Sequence, residues 1–262
     1  MSDNSVTFWG LGFGYAMLLI PLSIILWYRL TMFGKVITSI IRMTVQLLLV
    51  GVYLQFVFKV NNPFLNTAWL IVMVVVADVS IIRGTDLKMR QLLLPLFAAL
   101  AVGTAVPLGI FAGLILKEPA FFDARFVIPV GGMILGNCLR ADIIGIRTFY
   151  QSLRTGEKAY LLSLGQGASL VEATHPYMAA ALTAALSPTV ATMATTGIVS
   201  LPGMMTGVIL GGNDPVTAIK YQIAIMISIF TGTAITVVLG IMLTRKTAFT
   251  QFGTVDKTIF SK

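Results

Sequence analysis

Seven stretches of about 20 apolar residues, the length at which a helix crosses the hydrocarbon core of a bilayer, run through this chain. They lie at roughly 8–29, 36–58, 66–83, 92–116, 126–147, 177–199 and 217–243. Nothing else in the sequence constrains the fold as strongly. In lipid the backbone has to satisfy its own hydrogen bonds, so runs of this length become helices. Because 57% of the 262 residues are hydrophobic and 11% charged, too little polar surface remains to coat a water-soluble domain. The polar connections are short, the longest lying around Gln151 to His175. The expectation is an all-α integral membrane protein of seven transmembrane helices, one domain over residues 1–262. The opening "MSDNSVTFWG" lacks the basic flank of a cleaved signal, so the first apolar run reads as a span.

Charge sets the expected orientation. With the N-terminus outside, the cytoplasmic face collects Arg29, Lys35, Arg83, Lys88, Arg90, Arg147, Arg154, Lys158, Arg245, Lys246, Lys257 and Lys262, which is 12 of the 18 basic residues. Lys59, Lys117, Arg125 and Lys220 stay outside. This predicts N-out, C-in. The same bias accounts for the net charge of +8. Basic residues are dispersed, not gathered with aromatics on one face, which argues against nucleic acid as a partner. A single cysteine, Cys138, and a single histidine, His175, exclude a disulfide framework and a Cys/His zinc site. His175, beside Pro176, reads as an interfacial residue.

Several chemistries lack their residues. There is no Walker loop to cradle nucleotide phosphates, no His-Glu-x-x-His pair and no Gly-x-Ser-x-Gly elbow. "GLGFG" near Gly10 lies within a span. No catalytic residue and no bound metal are therefore expected of this chain.

The intramembrane polar residues are the candidates for function. Arg42 and Gln46 stand four residues apart, on one helix face inside the second span. Asp78 lies at similar depth in the third. An Arg42–Asp78 pair is geometrically reasonable, and it either orients two helices or takes part in transport. Arg140 and Asp142 fall in the inner half of the fifth span or in its interface. Together these four charges also suit an autonomous secondary transporter with an ion or proton relay.

The longest connection, "RTFYQSLRTGEKAYLLSLGQGASLVEATHPYM", reads as an amphipathic helix broken at Gly165 and Gly167. A short second helix begins at Ser169, and Pro176 opens the next span. Such an element, between spans 5 and 6, suits docking of a soluble partner.

Small residues recur at four-residue spacing: Gly109 and Gly113, Gly132 and Gly136, then Gly203, Gly207 and Gly211. They allow close helix approach. In "VSLPGMMTGVILGGNDPVTAIKYQ", Pro202 and Pro215 flank backbone that cannot all remain helical, and such backbone is tolerated only inside protein or beside a cavity. With Pro129 and Met133 it suggests a glycine-lined, methionine-bearing outer chamber where spans 5, 6 and 7 meet; the alternative is a re-entrant cap that only closes the bundle. The thioethers of Met133, Met204 and Met205 suit Cu(I) better than iron, so they read as packing of a gate.

The motifs "RMTVQLLLVG", "IPVGGMILGN", "SLGQGAS", "SPTV" and "GIVSLPGMMTGVILGGNDPVTAIKYQI", in this order, resemble the FetB-like permeases. These are membrane subunits of ATP-binding-cassette (ABC) transporters implicated in iron export, with plant relatives linked to aluminium tolerance. The resemblance covers nearly the whole chain. It implies a non-catalytic permease in a bacterial plasma (inner) membrane, energised by a separate ATP-binding subunit that carries ATP and Mg, as two permeases with two ATPases. It also implies that Glu157, Gly165, Gly167, Ala168 and Ser169 belong to a coupling loop. The translocation path is expected along Arg42, Gln46, Asp78, Pro129, Met133, Asn137, Pro202, Gly203, Met204 and Met205. An organic solute such as a nucleotide sugar remains an alternative cargo.

Overall fold

The computed structural model describes residues 8–85, 89–115, 123–250 and 253–255. Lys88, Lys117, Lys257 and Lys262 lie outside them. Seven helical stretches among the described residues are long and apolar enough to cross a membrane: Trp9–Trp27, Phe33–Val60, Pro63–Thr85, Leu92–Ile115, Ala124–Thr155, Leu170–Thr195 and Pro215–Ala248. Each overlaps one apolar run, and several extend beyond it.

The chain divides into two compact units, Met1–Lys59 and Val60–Lys262. The first holds α1 (Phe8–Ala16), α2 (Leu19–Trp27) and nearly all of α3 (Phe33–Val60). Its side chains are apolar yet exposed, Trp9 at 84% and Leu47 at 64%, a distribution that only a lipid solvent makes inexpensive. The Tyr15 and Thr44 hydroxyls meet at 2.6 Å, joining α1 to α3.

The second unit holds α4 (Pro63–Thr85), α5 (Met89–Ile110) with a π-helical turn at Phe111–Ile115, and α6 (Ala124–Thr155). It continues with α7 (Glu157–Gly165), α8 (Leu170–Thr195), α9 (Gly203–Leu210) and α10 (Pro215–Ala248). Helices α6 and α10 form its centre, with α6 also packing on α4, α5 and α8. In hydrocarbon, helices gain little from burying apolar surface against each other, so close backbone approach has to supply the packing energy. That approach falls at Gly103 and Gly232. A Cβ on Gly232 would lie 2.8 Å from the Gly103 carbonyl oxygen and 2.9 Å from Ile134 on α6. Pro107 sits inside α5 and has no N–H to offer the carbonyl four residues back. The Gly103 carbonyl thus turns to Gly232 as its neighbour. Gly131, whose Cβ would meet Leu70, and Gly145, whose Cβ would meet Val237, make the corresponding α6–α4 and α6–α10 approaches.

The glycines chosen by sequence spacing behave differently. Gly136, Gly203 and Gly207 have nothing within 4 Å of where a Cβ would stand, and Gly132 meets only the tip of Met73. Spacing identifies the same face of one helix, whereas close approach depends on which face a neighbour covers.

Two boundaries also differ from those expected of the sequence. Pro176 does not open a span: α8 already begins at Leu170 and runs through Pro176 and Pro188. Ser169 starts it with a capping box, its hydroxyl accepting from the Glu172 N–H while the Glu172 carboxylate accepts from the Ser169 N–H at 2.8 Å. That cap satisfies orphan donors at the helix start, which a proline in the second turn cannot do. Helix α6, for its part, continues to Thr155 because Phe149, Tyr150 and Leu153 remain buried on one face.

Gly232→Ala is expected to destabilise the protein by about 1–3 kcal/mol through overpacking, read by unfolding in detergent. Gly51→Ala, on an α3 site with nothing within 4 Å, should stay within about 1 kcal/mol of the parent or stabilise it.

Candidate functional site

Three features carry polar or irregular structure into an otherwise apolar bundle. The first is the bend between α6 and α8. Thr155 ends α6, Gly156 passes the chain into α7, and α7 closes at Gly165. Of the two glycines expected to break this segment, Gly165 is the last residue of α7, and Gly167 makes the turn at φ +94°, a conformation costly for residues with a Cβ. Ala168 is half-buried and Ser169 caps α8.

Aromatic side chains tie this bend to the bundle. The Tyr160 hydroxyl donates to the Gly253 carbonyl at 2.5 Å, and the Tyr177 hydroxyl donates to the Gly156 carbonyl at 3.2 Å. The Tyr160 ring meets Tyr177 and Phe249 edge-on at 6.2 and 6.3 Å. Burial raises the Tyr160 phenol above its ordinary pKa, partly offset by the Arg245 charge. The Arg245 guanidinium donates to the Thr174 hydroxyl at 3.0 Å, which fastens the end of α10 to α8. The opposite side of α7 is exposed, with Glu157, Lys158, Leu161 and Leu162 outward, and Val171 in the first turn of α8 is exposed as well. An anchored helix with an apolar, charged-edged outer face is suited to docking. The glycine motif was legible in the sequence. The tyrosines that anchor it were not, because their partners lie as far as 93 residues away.

The second feature is a pair of buried carboxylates. Asp78 on α4 and Asp142 on α6 are each 1% exposed and close enough to act on one another electrostatically. Asp78 Oδ1 and both Asp142 oxygens have no hydrogen-bond partner among the described residues. Cys138 is buried one turn before Asp142, with the Thr236 side chain of α10 nearby. Arg42 and Gln46 are exposed on α3 in the first unit, and Arg140 is exposed on α6. Among the described residues, no group of three or more His, Cys, Asp or Glu is placed to share a metal ion.

The third feature is the stretch between the two prolines. Helix α8 ends at Thr195, the chain turns through Gly197 at φ +93°, and Pro202 precedes the two-turn α9. Gly212 at φ +86° then turns the chain into α10. There Asp214 caps the helix and Pro215 occupies its first position, where a missing N–H costs nothing. The Thr217 N–H donates to Asp214 at 2.9 Å, and this bond, followed by that from the Thr217 hydroxyl, holds the carboxyl below the ordinary aspartate pKa.

A cavity of about 420 Å³ opens beside this stretch, lined by Met193, Thr196, Leu201, Met205, Gln222 and Met226 among others. It is formed by α8, the turn after it, α9 and α10. Met205 belongs to it. Met204 packs against the core, and Pro129, Met133 and Asn137 stand on α6 outside the lining, where the Asn137 amide donates to the Met133 carbonyl at 2.8 Å. Gly203 and Pro202 start α9 and set its angle without entering the lining. The chamber therefore carries one of the three expected methionines together with Met193 and Met226. Gln222, a lone amide among aliphatic neighbours in α10, was the available sequence signal.

Residues 8–249 match the family described as "Uncharacterised protein family (UPF0014)". The chain belongs to the UPF0014 family. It is similar to the UPF0014 membrane protein slr1647 of Synechocystis sp., with 32% identity over 205 residues, 78% of this chain and 79% of that protein. It is 28% identical over 244 residues, 93% of each chain, to an Escherichia coli member named "Probable iron export permease protein FetB". A plant member, Protein ALUMINUM SENSITIVE 3 of Arabidopsis thaliana, is 29% identical over 214 residues, 80% of this chain and 77% of its own. No solved structure matches the chain at a comparable significance. This UPF0014 protein is thus a multi-pass membrane protein whose relatives include a named permease.

The segments that shape these sites give two expected outcomes. Gly167→Val should destabilise the bend by roughly 1–2 kcal/mol and speed amide exchange over Gln166–Leu170, whereas Gly165→Ala should leave that exchange unchanged. Asp214→Ala should speed exchange at the Thr217 amide at neutral pH. Because the Asp214 pKa is depressed on folding, its capping contribution is complete above the ordinary value of 3.8 and is lost as pH falls through the lower folded value. The difference between parent and variant should therefore vanish on strong acidification.

Proposed function

We propose that this chain is the membrane-spanning permease subunit of an ABC transporter that exports metal ions, iron among them. In this reading it catalyses no reaction. A separate subunit binds ATP and Mg, hydrolyses the nucleotide and docks on α7 and the bend at Gly167, and two permeases assemble with two ATPases in a bacterial inner membrane. The N-terminus lies outside and the C-terminus inside, which puts α7 on the cytoplasmic side. The observation that carries the proposal is similarity over 93% of the chain to the E. coli protein named a probable iron export permease. It is supported locally by the anchored helix α7, with Glu157 exposed at its start and Leu161 and Leu162 on its outer face.

Asp78 and Asp142 favour a second reading. Buried intramembrane carboxylates, here with oxygens that have no hydrogen-bond partner among the described residues, are the groups a proton-coupled carrier uses, and such a carrier needs no ATPase.

Proteoliposomes holding the permease, with and without a coexpressed ABC ATPase, separate the two. The first reading expects Fe²⁺ flux that requires both ATPase and ATP. Flux driven by a pH gradient without ATP establishes the second and removes the first. In the coupled system Gly167→Val should leave insertion and ATP hydrolysis intact while transport is lost; unchanged transport would show that the bend does not couple them.

A further inference from the structure

The cavity beside α9 has a composition unlike a metal site. None of its lining residues is charged, and most are aliphatic or thioether side chains: Met193, Met205 and Met226 with Leu201, Ile219 and Ile223. A dehydrated divalent cation placed there would lose its water shell with no anion to compensate it. The volume of about 420 Å³ falls in the range of roughly 300–1,000 Å³ typical of small-molecule pockets.

Two polar side chains, Thr196 and Gln222, interrupt the apolar lining. Gln222 is 5% exposed, and its Oε1 has no hydrogen-bond partner among the described residues. A buried amide oxygen left unpaired is costly, and a ligand donor in the cavity would supply the missing partner. The Thr196 hydroxyl is already engaged, donating to the Thr192 carbonyl at 2.7 Å. A ligand hydroxyl is the group that answers Gln222 best. It donates to Oε1, and because a hydroxyl also accepts, it still pairs if the amide turns by half a rotation. Gln222 lies seven residues after Pro215, about 10 Å along the axis from the start of α10, so the cavity is reached from the region just beneath a membrane surface.

We propose that this cavity is a binding site for an uncharged, membrane-dissolved amphiphile, with its aliphatic body among Met193, Met205 and Met226 and a hydroxyl on the Gln222 amide. The site lies wholly within the second unit and requires neither ATPase nor metal, so it stands apart from the transport reading.

The test uses the full chain in nanodiscs with two photoactivatable probes of equal length, a diazirine-bearing decanol and the matching diazirine-bearing decane, followed by peptide mapping. Decanol should crosslink within residues 193–227 and exceed decane there. Gln222→Leu, which keeps an apolar side chain of similar size, should lower decanol labelling about five- to tenfold, the worth of one hydrogen bond, while decane labelling holds constant. Ile223→Trp, filling the cavity from its lining, should reduce both probes. Chase with unlabelled decanol or with dioleoylglycerol distinguishes a small solute from a lipid, and displacement by either supports the site. Equal labelling by the two probes, decanol labelling unchanged in Gln222→Leu, or no displacement by either competitor would overturn it.

Discussion

A bilayer offers no water to an unpaired peptide group, and every part of this structure answers to that constraint. Residues that would be spaced by loops in a soluble protein are drawn into long helices, and α6 and α10 reach 32 and 34 residues. Where the helix has to break, the break is chemically specified. Gly197 and Gly212 take positive φ, Pro202 and Asp214 stand at the starts of α9 and α10, and Pro215 occupies a position where no N–H is needed. The irregular backbone lies beside the cavity near Met205, the kind of place where the constraint can be relaxed.

Once the helices are formed, something other than water has to hold them together. Lipid tails solvate leucine as well as another helix does, so the energy comes from backbone proximity and from a few polar ties. The reciprocal contact of Gly103 with Gly232 shows both aspects of this. Absence of a side chain permits the approach, and Pro107 leaves a carbonyl to meet it. The Tyr150 hydroxyl donating to Thr244 at 2.9 Å and Arg245 donating to Thr174 extend the joint toward the end of α10. The same region carries the bend at Gly167, which Tyr160 and Tyr177 tie to Gly253 and Gly156.

Buried polar atoms with no hydrogen-bond partner among the described residues mark where the molecule departs from pure packing. Asp78 and Asp142 lie between α4, α6 and α10, and Gln222 lies in the cavity wall. The two places differ in chemistry: paired carboxylates suit protons or cations, and a single amide in an aliphatic wall suits a neutral hydroxylated molecule. Their separation means that one can be altered while the other is left intact.

The periodicity and length of the apolar runs by themselves determined that the chain makes seven spanning helices, because a helix of about 20 apolar residues is the local solution to a local constraint. The sequence motifs likewise determined the family, the bend at Gly167 and the break between Pro202 and Pro215. Tertiary structure decided which glycines carry the packing, since Gly103 and Gly232 matter only because α5 and α10 meet there, while Gly203 and Gly207 face open space. It also decided that Pro176 lies inside α8, that Tyr160 anchors α7, and that Met193 and Met226 accompany Met205 in the cavity. Apart from the start of α8, which the local Ser169–Glu172 cap sets, these depend on residues distant in sequence being brought together, and neither helical period nor composition encodes which face of a helix its neighbour will cover.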